Sequence, residues 1–450
     1  MALLQSNFGT KGNFEAVVKE GGQLVHYWRD NDDRGVFPWY RSVAFASDAD
    51  SEPAFLQGNF GIRGNFEVVA REGSKLRHYW RNNDAPGFPW HKGALFGGNV
   101  SSAPALIQSN YGATGNFEIV VREGSKLRHY WRNNDAPGFP WHKGALFGDN
   151  VSSAPALLQS NYGYIGNFEL VVREGSKLRH YWRNNDAPGY PWNKGELFGS
   201  GVSSAPALIQ SNFGHYGNFE VMVREGDKLR HYWRDNQATG YPWHQSALCS
   251  DHINSDPSLI QGNFGRKGNF ELLVMRGDCL THFWRDNQAT GYPWHEVYFH
   301  SVPPIGAPPT AQQRNKFVGA FPNLRNFHVT APSSGQYNCI SWSVGVTTDW
   351  LWPGYTVADF DAFYASYGWT PTSNGTREFK KRKVALWAMN GDPNDCTHGS
   401  RETIDCDWHE SKCGGWERIV HDKRQMEDGA YGVIIKYYQK ADPSANLDLA

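Results

Sequence analysis

Apolar and polar residues alternate along Lys75-Leu76-Arg77-His78-Tyr79-Trp80-Arg81 and half alternate along Gly64-Asn65-Phe66-Glu67-Val68-Val69-Ala70. This predicts two short strands joined by a turn at Glu72-Gly73-Ser74. A third strand is expected over residues 89–96, with Pro89 tolerable only at its start, and a fourth over residues 104–109, with loop chemistry at 82–87. The unit returns six times between residue 3 and about residue 300. The tryptophan of an H-[YF]-W-R tetrad falls at Trp28, Trp80, Trp131, Trp182, Trp233 and Trp284, a spacing of 52 and then four of 51. A period near fifty with strand patterning predicts an all-β six-bladed propeller over residues 1–300, because one unit cannot bury its own apolar face. The sixth copy lacks a closing L-[IL]-Q-[SG]-N strand, and that strand stands at residues 2–7. The N-terminal strand is therefore expected to complete blade six and remove two exposed edges.

Strand direction puts the loops at 82–90 and 109–115 on one face, both rich in aromatic residues, Asn and Gly. A sugar needs an aromatic platform for its C–H face and fixed planar polar groups for its hydroxyls. Candidate platforms are Trp39, Trp90, Trp141, Trp192, Trp243 and Trp294, with Asn83, Asn134, Asn185, Tyr111 and Tyr162 beside them. The competing expectation is packing between blades, the more so for the Trp80 series. Repeated sites would give multivalent binding of clustered glycans.

The aromatic fraction of 15 %, with 19 Trp and 48 Gly, fits many short strands and tight turns. A net charge of −1 gives no basic excess for nucleic acid. No apolar run approaches membrane-spanning length. The opening Met-Ala-Leu-Leu-Gln-Ser shows no signal peptide, so a cytoplasmic or leaderless secreted protein is expected.

The order S-x-P-A-L-[IL], G-N-F-E-V-V-V, L-x-H-Y-W and P-W resembles the PLL-like lectins, β-propellers that bind fucose and related sugars. The resemblance implies glycan partners for residues 1–300. The chain departs from that family in supplying six units where its familiar members have seven blades, and in its S-N-[FY]-G loops. Sugar specificity is therefore not carried over.

Beyond Ser301 the repeat ends. Residues 301–314 read as a Pro-rich linker, and 315–442 as an α+β domain. A helix capped by Thr356 and stopped at Gly368 is expected, with strands near 383–389, 397–404, 407–412 and 431–438. Cys339 follows capping residues, so a helix N-terminus is expected to lower its thiol pKa. His398 lies at a strand start. A Cys upstream and a His downstream is the order of a cysteine hydrolase. The stations Y-N-C-I-S-W, W-L-W-P, T-H-G, S-K-C-G and I-V-H resemble an uncharacterised family that looks like a branch of the papain-like and NlpC-type cysteine peptidases. That resemblance implies Cys339 as nucleophile, His398 as general base and a peptide or amide substrate. The third residue stays open among Glu410, His409 and His421. The alternative is a pure glycan- or protein-binding propeller with a non-catalytic tail. Six cysteines are no disulfide framework, with Cys249–Cys279 and Cys396–Cys406 as open pairings. The cluster of Cys396, His398, Cys406, His409 and Cys413 has no C-x2-C pair, so neither metal nor cofactor is expected.

Overall fold

The computed structural model describes residues 1–33, 37, 39–277, 279–298, 305–325, 327–375, 378, 381–403 and 408–442, with the backbone alone at 279, 297 and 298. The chain divides into two compact units, Met1–Arg276 with Thr281–Val297, and Tyr298–Ala450 with Gly277–Leu280.

The first unit consists of six four-stranded antiparallel sheets. Blade one is Ala2–Gln5, Phe14–Glu20, Gln23–Arg29 and Trp39–Ala46, and blade six runs from Ser258–Gln261 to Trp294–Tyr298. The first strands of successive blades lie side by side around the ring, and that of blade six meets that of blade one. The second strand of each blade is covered on both faces. In blade two, Phe66, Val68 and Ala70 pack with Val17 and Leu24 of blade one, and Val69 packs with Phe117 and Ile119 of blade three. This double coverage explains why the run is apolar instead of alternating.

The N-terminal strand does not complete blade six. Ala2 pairs with Val17 and Gln5 with Phe14, so it is the first strand of blade one. The L-[IL]-Q-[SG]-N segment opens each blade, because a tight reversal joins it to the following G-N-F-E strand. Ser6 N–H donates to Asn13 O and Asn13 N–H to Phe8 O. Gly12 makes the reversal possible at φ 73°, where a Cβ would lie 2.4 Å from Ser6 O.

The ring is closed by side chains. Gln57 Nε2 donates to Asn7 Oδ1 (2.7 Å) and Asn7 N–H to Gln57 Oε1 (3.0 Å). The same reciprocal pair links Gln108 to Asn59, Gln159 to Asn110, Gln210 to Asn161 and Gln261 to Asn212. Gln5 and Asn263 complete the circle at 2.7 and 2.9 Å.

In the second unit seven strands form one sheet, in the order Phe327–Ala331, Arg418–Asp422, Trp408–Lys412, Cys396–Glu402, Lys381–Ala388, Val433–Ala441, Thr370–Thr372. Among the described residues the α-helices are Ala311–Ala320, Cys339–Ser343 and Val357–Ser366. The expected helix carries a capping box between Thr356 and Asp359. The domain is thus β-rich with few helices, not a clear papain-like α+β fold. The strands at 327–331 and 418–422 were hidden by short length and weak alternation. The stretch expected as linker already belongs to this unit at its end: Ala307 bridges Val329, and Thr310 caps the first helix. Residues 301–304 lie outside the described residues. No helix among the described residues is long and apolar enough to cross a membrane.

Gln5→Ala and Asn263→Ala should each destabilise the ring by about 1 kcal/mol, the net worth of such hydrogen bonds. The double variant should cost less than the sum, because the two amides act on each other. Urea unfolding of the four proteins measures this, and full additivity would contradict closure through this pair.

Candidate functional site

Period-two alternation gives each blade two different faces. Glu67 pairs with Trp80 and Val69 with His78, so Glu67, His78 and Trp80 share one face. Phe117 pairs with Arg132 in the next blade and presents the other. Where the faces meet, Phe60, Asn65, Glu67, His78 and Trp80 of blade two and Arg132, Phe139 and Trp141 of blade three line a cavity of about 340 Å3. The next two seams hold equivalent cavities of about 400 and 330 Å3. All three have the size of small-molecule sites, roughly 300–1,000 Å3.

Charge is built into these seams. His78 Nε2 lies 2.6 Å from Glu67 Oε2. Arg132 Nε donates to Asn134 Oδ1 (2.6 Å), and its guanidinium stands 4.2 Å over the Phe117 ring. Burial lowers the Arg132 pKa to about 10, with Glu67 across the seam acting in the opposite sense. At the seams between blades six and one and between blades five and six the arginine reaches the neighbouring imidazole, Arg29 Nη1 to His282 Nδ1 and Arg285 Nη1 to His231 Nδ1, both 3.4 Å. Burial lowers the pKa of His26 and His282, so each stays neutral and donates Nε2–H to its glutamate (2.8 Å).

Two aromatic rings flank the arginine at every seam. Arg132 is 5.3 Å from both Phe60 and Phe139, and the other five arginines lie 5.2–5.5 Å from their pairs. One ring of each pair sits on a left-handed backbone: Phe37, Phe88, Phe139, Tyr190, Tyr241 and Tyr292 have φ of 48–50°. A bulky residue in that region is a genuine outlier, costing about 1–3 kcal/mol. The strain holds a half-exposed ring at the cavity mouth.

The anticipated residues divide. Tyr111 and Tyr162 line cavities, as do Trp141, Trp192 and Trp243. Trp90, Trp141, Trp192 and Trp243 also stack flat on Phe45, Phe96, Phe147 and Phe198 of the preceding blade, 3.9–4.2 Å apart. Trp39 is buried, and Trp294 packs against the apolar cluster between blades five and six. Asn83, Asn134 and Asn185 are buried with both amide ends engaged: Oδ1 accepts from the preceding arginine, and Nδ2 donates to Gly64, Gly115 or Gly166 O. They brace the arginine. Asn65, Asn116 and Asn167 line the cavities in their place. The Trp80 series, expected to pack between blades, also lines them. The arginines and glutamates went unnoticed, although a charge recurring within an apolar strand in all six copies was the available signal.

In the second unit Cys339 opens the helix Cys339–Ser343, with Asn338 Oδ1 accepting Ser341 N–H (2.9 Å). Burial pushes the Cys339 thiol up to about 11, the reverse of the sequence expectation. A helix of five residues has too few aligned peptides for its dipole to outweigh desolvation. The proton positions around His398 follow from its partners. His421 Nδ1 lies 2.8 Å from Asp422 O, and a carbonyl only accepts, so Nδ1 carries the proton. His421 Nε2 then accepts from Ser411 Oγ (2.7 Å), and Ser411 Oγ accepts from His398 Nε2 (2.8 Å). His398 Nδ1 is buried without a hydrogen-bond partner, and the ring lies flat on Tyr431 at 4.0 Å. His398 and His421 are thus joined through Ser411, which sequence reasoning overlooked. Glu410 points to the other side of its strand and pairs with Arg418 (3.1 Å), and His409 meets Ser400 Oγ (2.9 Å). Cys249, Cys339, Cys396 and Cys413 are free thiols. The Cys279 side chain and Cys406 lie outside the described residues.

Residues 328–439 match the model of a family described as Domain of unknown function (DUF7689). That description assigns no activity, and the peptidase-like expectation gains no support from it. The chain is similar in form to the Aleuria aurantia lectin, solved as a mutant in complex with alpha-methyl-L-fucoside, at 16 % identity. The match covers 65 % of this chain and 93 % of that one, with a TM-score of 0.46. It is also similar to the SapL1 lectin in complex with alpha methyl fucoside, at 14 % identity, covering 65 % and 96 %, with a TM-score of 0.43. No curated protein matches the chain.

Three histidines of the second unit, His398, His409 and His421, are buried and held neutral, His421 with a pKa lowered to about 4. In the unfolded chain they take up protons near pH 6.5. The folded state binds fewer protons over this interval, so stability is full above pH 6.5 and is lost as pH falls toward 4. His421 alone contributes about 3 kcal/mol to this loss. Urea unfolding from pH 7.5 to 4.5 should show the decline, and His421→Gln should make it shallower, the contributions of His398 and His409 remaining.

Proposed function

We propose that the protein is a multivalent carbohydrate-binding propeller with a saccharide site at each seam between adjacent blades. The observation that carries this reading is the strained aromatic ring facing a second ring across a buried arginine, repeated six times. Strain kept in every copy points to use. The rings supply a surface for the C–H face of a sugar, and the Arg, Glu, His and Asn of the seam supply oriented donors and acceptors for its hydroxyls. Glycans are the partners of this reading, fucose-type sugars among them. Six sites on one ring would multiply affinity for a clustered glycan surface.

The second unit is read as a non-catalytic tail. Supporting this are a thiol pushed up to about 11, where attack needs thiolate, and a histidine whose Nε2 is committed to Ser411. A hydrolase acting on a peptide or amide with Cys339 and His398 is the competing reading.

Isothermal titration of the full chain with neutral methyl glycosides, α-methyl-L-fucoside included, should show several equivalents of one sugar. Combining Arg132→Lys, Arg183→Lys and Arg234→Lys, which keeps charge but removes the planar fork, should reduce the stoichiometry by about three with the fold unchanged by circular dichroism. An unchanged stoichiometry would move the sites elsewhere. Iodoacetamide at pH 7.5 should leave Cys339 unlabelled in the native chain. Fast labelling there, abolished by Cys339→Ser, would restore the hydrolase.

A further inference from the structure

The six seams are near-copies, but the loop tips beside them are not. The tip of each first-to-second-strand loop reads Thr10-Lys11, Ile62-Arg63, Ala113-Thr114, Tyr164-Ile165, His215-Tyr216 and Arg266-Lys267. We infer that the seam between blades five and six, with Lys267 at its mouth, selects a saccharide bearing an anionic group, a carboxylate or a sulfate, whereas the seams from blade two to blade five take neutral sugars. The inference rests on the carbohydrate reading above.

Geometry places Lys267 at that site. Its ammonium lies 5.9 Å from the Phe213 ring and 5.8 Å from the Tyr292 ring, the two rings that flank Arg285. Arg266 beside it is exposed. The charge beneath the tip differs as well. In blades two to four a carboxylate sits directly under the tip and accepts two of its backbone N–H groups: Asp84 from Ile62 and Arg63, Asp135 from Ala113 and Thr114, Asp186 from Tyr164 and Ile165. In blade six neutral Gln288 takes that place, its Oε1 accepting Lys267 N–H (2.6 Å). The acid of that loop, Asp286, instead accepts from Gln288 and Ala289. Lys11 stands at a similar distance from Phe37 and Phe264, but Asp32 lies under its tip. Deeper in the seam, Glu220 faces both His231 and Arg285, as in the other copies. Blade five also has a neutral glutamine under its tip, Gln237 accepting Tyr216 N–H, but its tip bears no lysine or arginine, so among the described residues a lysine at the mouth without a carboxylate under its tip occurs only in blade six. A ligand group there meets positive charge at partly exposed positions, where attraction is screened by salt.

Matched saccharides test this on the full chain: methyl galactoside against methyl galacturonide and galactose 6-sulfate, methyl glucoside against methyl glucuronide, and fucose against fucose 4-sulfate, each titrated in low salt and in 0.5 M NaCl. One equivalent of an anionic member should bind at least about tenfold more tightly than its neutral partner, and the advantage should vanish in high salt. The sulfate and carboxylate arms identify which anion the site prefers. Lys267→Ala should abolish the preference and Lys267→Arg should keep it, with neutral binding at the remaining seams unchanged in both. Neutral binding without any anionic preference, or a preference that survives Lys267→Ala, overturns this inference and leaves the carbohydrate reading standing. Absence of binding by every saccharide overturns both.

Discussion

The reciprocal bond between a glutamine of one blade and an asparagine of the next is the interaction on which the ring depends. A blade cannot fold alone, because its second strand is apolar on both faces and needs a neighbour against each. Hydrophobic contact supplies most of the stabilisation but little direction. The amide pair supplies register: each glutamine side chain donates to the asparagine side chain and accepts from its backbone, so a slip of one residue would break both bonds. Because the same pair joins residues 5 and 263, the first and last blades meet as any two neighbours do. No strand exchange is required for closure.

That register also creates the seam cavities. Glutamate, histidine and tryptophan on one face of a blade must meet phenylalanine and arginine on the facing side of the next, and only a fixed seam keeps a buried arginine within reach of its partners. The asparagine two residues after each arginine clamps Nε and anchors the clamp to a glycine carbonyl. The guanidinium is therefore held in one orientation within the seam. The left-handed aromatic residue belongs to the same economy of order, its strain absorbed by the surrounding loop.

Much of this was legible in the chain, and the misses have physical causes. Period and strand number follow from alternation and from the turn residues. The grouping of strands into sheets did not, because a repeat has no intrinsic start: reading the unit from Gly64 assigns residues 104–109 to the preceding sheet, and only the tight turn at Gly115 shows that they begin the next. The engagement of the Asn83 amide by Arg81 and Gly64 was not legible, because these contacts form only through folding. Arg81 and Glu67 were overlooked because a charge within a strand reads as an outward position when the partner blade is not in view.

The second unit shows why order along a chain does not define a reactive centre. Cys339 and His398 have the succession a cysteine hydrolase would show, yet the chemistry turns on what surrounds them. A thiol on a one-turn helix in an apolar interior keeps its proton, since desolvation of a thiolate outweighs what a few N–H groups return. The imidazole of His398 is oriented by Ser411 and, behind it, by His421 and a backbone carbonyl. No carboxylate within this chain of bonds would stabilise an imidazolium, and burial opposes one. The same chain of bonds fixes His398 with its bare Nδ1 inside the fold. Burial holds that nitrogen unprotonated, because an imidazolium there would lose its hydration.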